Sequence, residues 1–219
     1  MLTGASITRQ AEAAAGRGGA VRTGRRLEYF TIAWNSLESL IAIAAGIVAG
    51  SVALIGFGLD SVIEVTSAAA LLWRLKHEWD PARRERVERL SLGVVGVCFL
   101  ALAGYVAYES AELLVERRAP SPSLAGILLA AASVIVMPLL ARAKRRVARS
   151  LNSGAMRADA KQTEFCMYLS AILLGGLLLN ALFGWWWADP VAGLVMAPII
   201  AREGVEAVRG KTCACDACH

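Results

Sequence analysis

Asp60 and Glu64 stand four residues apart in the run GSVALIGFGLDSVIEVTSAAALLW, which is otherwise suited to hydrocarbon. In a helix that spacing puts both carboxylates on one face, with Cβ atoms about 5–6 Å apart. An ionised Asp at the centre of a membrane-spanning helix costs roughly 2.5–3.5 kcal/mol, and each neighbouring Leu, Ile or Val returns only about 0.3–0.6 kcal/mol. Such a face must point into a helix bundle or a wet cavity. The pair could be a structural polar contact between helices; a cation or proton site is the preferred reading. A second stretch, SGAMRADAKQTEFCMYLSAILL, aligns with the first at an offset of 102. Ser51 then meets Ser153, Asp60 meets Gln162, Ser61 meets Thr163 and Glu64 meets Cys166. Gln162 and Cys166 are again four apart, so the two stretches together offer two carboxylates, an amide oxygen and a thiol. A thiolate is an excellent zinc ligand, whereas the Gln amide is a poor one.

The elements that carry these groups are membrane helices. The 219 residues are 57% hydrophobic with a mean hydropathy of +0.53, too apolar for an ordinary soluble domain. Blocks near bilayer-spanning length fall at roughly 30–50, 52–73, 90–114, 124–141, 162–183 and 188–206. Six helices are expected in an all-α integral membrane protein. The sixth is the least marked, because Arg202 and Glu203 interrupt it, although Asp189 can cap its start and Pro190 suits its first turn. Three spans per half, with the offset of 102, make a weak inverted repeat of three plus three, the plan of many secondary transporters.

Positive charge sets the expected orientation. Five Arg lie in residues 1–29, six Lys or Arg between Arg74 and Arg89, seven from Arg142 to Lys161 and three in the tail; only Arg117 and Arg118 fall on the other side. Both termini are therefore expected in the cytoplasm of a multi-pass protein of the cell membrane. Trp185, Trp186 and Trp187 fall at the outer end of the fifth span, as an aromatic belt would. AKRRVARS reads as a solvated loop touching anionic lipid, with no nucleic-acid partner. No secretory signal is expected, since the first apolar block begins near Phe30. Residues 1–29 read as a mobile cytoplasmic lead, 30–209 as the membrane domain and 210–219 as a Cys-rich cytoplasmic tail, leaving no room for a second globular domain.

Other polar residues are weighed beside the acid pair. Asn35 and Glu38 lie in the first span and could act as a proton relay or outer shell, or simply as a packing contact. A lone Glu in a first membrane helix is also similar to the coupling acid of small proton-linked exporters of cationic drugs, which have four short helices and no second acid pair. Asp159 is expected to cap or brace the start of the fifth span, and Glu164, on the opposite face from Cys166, is at best a substitute ligand. The tail residues Cys213, Cys215, Cys218 and His219 suffice for a tetrahedral zinc or copper(I) site. Cys98 reads as a packing residue, and Gly46, Gly50, Gly175 and Gly176 as points of close helix approach. His77 and His219 are the only histidines, and neither has a convincing Ser or Asp partner, so no enzyme is expected.

The segments SVALIGFGLDSVIE and SGAMRADAKQTEFC resemble the second and fifth membrane helices of the cation diffusion facilitators, and WADPVAGLVMAPIIAREG resembles their sixth. The resemblance covers residues 30–210. It implies six helices, a homodimer, and export of divalent metals such as zinc against protons, through a four-ligand site enclosed by helices one, two, four and five. Position by position the ligands are Asp60, Glu64, Gln162 and Cys166. The second pair departs from the His and Asp usual in the family, and the usual C-terminal cytoplasmic domain is missing from the sequence. No prosthetic group is implied; the metal is cargo. A binding or sensor protein on the same scaffold is the alternative. In the exporter reading, protons occupy the empty apolar site and a divalent cation displaces them from oxygen and sulfur.

Overall fold

The computed structural model describes residues 4–76 and 81–209, with side chains left undescribed at 4–17, 74–76, 81–92 and 154–155. The chain forms six helices, α1 (Gly4–Ala49), α2 (Val52–Lys76), α3 (Pro81–Glu116), α4 (Leu124–Leu151), α5 (Gly154–Phe183) and α6 (Ala188–Val208). Five of them contain a stretch long and apolar enough to cross a membrane; α6 does not reach that mark. The strongest packing is between α1 and α2, α4 and α5, and α3 and α6; α1 also meets α4, and α2 meets α5. Helices α1, α2, α4 and α5 thus make an inner bundle flanked by the α3–α6 pair, which joins the third helix of one half to the third of the other.

Helix boundaries differ from the hydropathy spans because helix continues past the apolar run. The segment from Arg142 to Lys161, expected as a basic loop, is helical except for a tight turn at Asn152–Ser153. Asn152 takes the left-handed conformation at the end of α4 (φ 45°), and the Ser153 hydroxyl accepts from the Met156 N–H at 3.4 Å to start α5. The α1–α2 turn is equally short. Gly50 has φ 66°, a region glycine enters without penalty, and the Ser51 N–H returns to the Gly46 carbonyl at 3.0 Å. Gly50 is therefore a turn residue, and a side chain at Gly175 would meet nothing, so neither serves close packing. Gly46 and Gly176 do: a Cβ at Gly46 would stand 3.0 Å from the Ile55 nitrogen, and one at Gly176 2.8 Å from the Ala192 Cβ.

Asp189 departs from its expected part. The start of α6 has no side-chain cap, and the Asp189 side chain, wholly buried, instead accepts a hydrogen bond from the Ser51 hydroxyl at the start of α2. Ser51 in turn accepts from the Leu54 N–H at 3.1 Å. The reason is a choice between two helix N-termini that both attract a carboxylate; α2 offers a hydroxyl donor as well.

Candidate cation site

Helix α1 turns a polar stripe inward. Glu28, Thr31, Asn35 and Glu38 follow the three-and-four spacing of one helical face, and each is at most 1% exposed. At 1.5 Å per residue the stripe runs about 15 Å along the helix. Facing it, α2 supplies Asp60, Ser61 and Glu64, α4 supplies Ser133 and Lys144, and α5 supplies Asp159, Thr163, Cys166 and Ser170, all buried.

Two carboxylates tie these helices together. Glu38 accepts from the Ser61 hydroxyl at 2.8 Å through one oxygen and from the Ser133 hydroxyl through the other, joining α1, α2 and α4. Glu64 accepts from the Thr163 hydroxyl at 2.9 Å, joining α2 to α5, and its Oε2 is buried without a hydrogen-bond partner. The Cys166 thiol, 1% exposed, lies near Glu64 and Asp60, and Asp60 lies near Glu64. The structure therefore gathers Asp60, Glu64 and Cys166 near the middle of the inner bundle, with Glu38 beside them.

The other sequence-derived candidates separate. Gln162 is half-buried beside the inward face of α5, with its Nε2 unpartnered; no described contact joins it to Asp60, Glu64 or Cys166. Its neighbour Thr163 makes the bond to α2 instead. Glu164 pairs with Arg145 away from the acids. Asn35 is fully buried with both amide atoms unpartnered. Asp159 pairs with Lys144 at 2.6 Å and so braces α5 against α4. Cys213, Cys215, Cys218 and His219 lie outside the described residues. Among the described residues, no three His, Cys, Asp or Glu side chains stand close enough together to hold a metal ion as they are placed.

Three participants escape sequence reasoning. Thr163 looks like an ordinary helix residue, although its alignment with Ser61 hinted at a shared polar position. Glu28 falls in the lead expected ahead of the first span, yet it continues the spacing of Thr31, Asn35 and Glu38. Lys144 falls in a stretch that reads as a solvated loop, yet it is completely buried between Asp159 and Glu28.

Six helices, five of them long and apolar enough to cross a membrane, thus hold buried acids and a thiol among α1, α2, α4 and α5. Residues 29–211 match the profile of the cation efflux transmembrane domain, and the chain belongs to the cation diffusion facilitator family. It is 28% identical over 175 residues to an uncharacterized transporter of Synechocystis sp., covering 77% of this chain and 56% of that protein. It is 27% identical over 169 residues to the magnetosome protein MamB of Paramagnetospirillum magneticum, covering 74% and 57%. It is also 23% identical over 132 residues to the cation-efflux pump FieF of Shewanella oneidensis, covering 59% and 43%. The chain thus spans little more than half the length of the first of these relatives.

Proposed function

We propose that this chain exports a divalent transition metal, zinc foremost and cadmium or cobalt besides, in exchange for protons. Asp60, Glu64 and Cys166 are the ligands in this reading, with Gln162 as a fourth that must turn inward. The observation that carries it is the burial of two carboxylates on α2 against a thiol on α5, at positions related by the repeat. Oxygen and sulfur donors of this kind bind a divalent transition metal only after losing their protons, so metal and protons compete for one site. Exposing that site to one side and then the other moves them in opposite directions. Capture of an ion requires the side chains to close on it from the arrangement described above. The assembly proposed is a homodimer in the cell membrane with both termini in the cytoplasm.

Purified protein in liposomes with an imposed pH gradient tests the proposal. Zinc, cadmium or cobalt should move against the proton gradient, and Asp60→Ala and Glu64→Ala should each abolish the flux. Flux that persists in both variants would overturn the assignment. Metal that binds in proportion to protein but never moves would make the chain a membrane metal-binding or sensor protein. Flux of a cationic dye without metal flux would favour a drug exporter.

A further inference from the structure

Lys144 is the one fully buried base among the described residues, and the metal-binding reading does not use it. Its ammonium lies 2.6 Å from Asp159 Oδ2 on α5 and 3.5 Å from Glu28 Oε2 on α1. None of these polar atoms makes a well-directed hydrogen bond, so the contact is ionic rather than geometric. Replacing a buried ion cluster by apolar groups is often neutral or even stabilising, so stability is a weak reason to keep one.

Position supplies the rest. Asp159 precedes Cys166 by seven residues and Glu28 precedes Glu38 by ten, which is about 10 Å and 15 Å along their helices. Thr163, which hydrogen-bonds Glu64, follows Asp159 by only one turn, so the triad sits about one turn from Glu64 and two to three turns from Cys166 and Glu38, toward the end of the bundle where α1 begins. Between them lie Thr31, Asn35 and Thr163, buried and polar. A file of polar groups thus runs from the triad to Asp60 and Glu64.

We propose that Glu28, Lys144 and Asp159 form a gate on this path. The tethered ammonium holds α1, α4 and α5 together and fills the place between two carboxylates where a passing cation would otherwise rest. This rests on the reading of Asp60, Glu64 and Cys166 as the cargo site, but its test does not measure cargo. With Cys98, Cys213, Cys215 and Cys218 changed to Ser in the full chain, Cys166 is the only thiol. Its rate of modification by a charged, membrane-impermeant methanethiosulfonate, in membrane vesicles of each sidedness, reads access to the site from each side.

In the parent, modification from the side of Lys144 should be slow. Lys144→Met should speed it by about tenfold or more from that side only, because breaking the cluster favours local opening there. Lys144→Arg should stay near the parental rate. Since Lys144→Met leaves two acids unpaired, the neutral variant Glu28→Gln/Lys144→Met/Asp159→Asn is measured beside it, and it should open the same side. Rates are readable for every variant because the helices remain in the native membrane. A parental rate in both Lys144→Met and the neutral triple variant overturns the gate, as does equal opening to both sides, which would mean loss of packing alone. Side-specific opening in a chain that carries no metal supports the gate and removes only the cargo assignment.

Discussion

Glu38 engages both of its oxygens, one with a hydroxyl from α2 and one with a hydroxyl from α4. Truncating either donor leaves a buried carboxylate oxygen unsatisfied, which costs about 1–3 kcal/mol. Ser61→Ala and Ser133→Ala should each lower the unfolding temperature in detergent, and a double variant that loses less than the sum of the two would show the shared acid coupling them. Cys166 carries a different expectation. Cys166→Ser exchanges a soft donor for a hard one, so affinity for cadmium should fall more than affinity for cobalt, as competition binding would measure; an equal fall would take the sulfur out of the site. At this scale the Asp60–Glu64 pair was legible because its spacing puts both acids on one helical face, and Cys166 because the offset of 102 sets it against Glu64; spacing also offered Gln162, which no described contact brings to them. Lys144 was not legible, because counting charges treats every lysine as solvated. Asp159 stood out as a brace for the fifth span, but that it and Glu28 meet on Lys144 shows only once three helices are packed.

Helix identity was easy to read and helix ends were not. Hydropathy marks where a helix leaves hydrocarbon, whereas hydrogen bonding carries α4 on to Leu151 and caps such as Asn152 and Ser153 decide the stop. The α3–α6 pair shows a second limit. A Cβ at Gly96 would stand 2.8 Å from both the Gly204 carbonyl oxygen and the Val208 nitrogen, so backbone faces backbone. Gly96→Val should force the helices apart and cost about 1–3 kcal/mol, read as a lowered melting temperature. Gly93→Val, three residues earlier and with nothing within 4 Å of an added Cβ, is the matched control and should cost much less. No sequence pattern distinguished these two glycines, since only the facing chain decides which one is pressed.

The molecule turns an apolar surface outward and buries a strip of polar groups within an otherwise apolar core. Val48 is 88% exposed and Val115 82%, while Glu28, Asn35 and Lys144 are fully buried, as expected of a protein whose solvent is lipid. Its Trp185 and Trp187 rings stack with centroids 5.1 Å apart where α5 passes into α6, beside the end that carries Arg117 and Arg118. The tail bears its own prediction. If Cys213, Cys215, Cys218 and His219 collect metal for the membrane site, a chain ending at Gly210 should transport more slowly at limiting metal and normally at saturating metal. Identical rates at both concentrations would remove that role.

The tie between Ser51 and Asp189 bridges 138 residues of chain. During synthesis α2 reaches the bilayer with only its own Ser51 hydroxyl to satisfy its first turn, and the carboxylate that completes that turn is made only when α6 begins. The last helix thus finishes the second one. A nascent chain halted before Asp189 would hold its acid pair in a helix whose Ser51 hydroxyl still lacks that carboxylate partner.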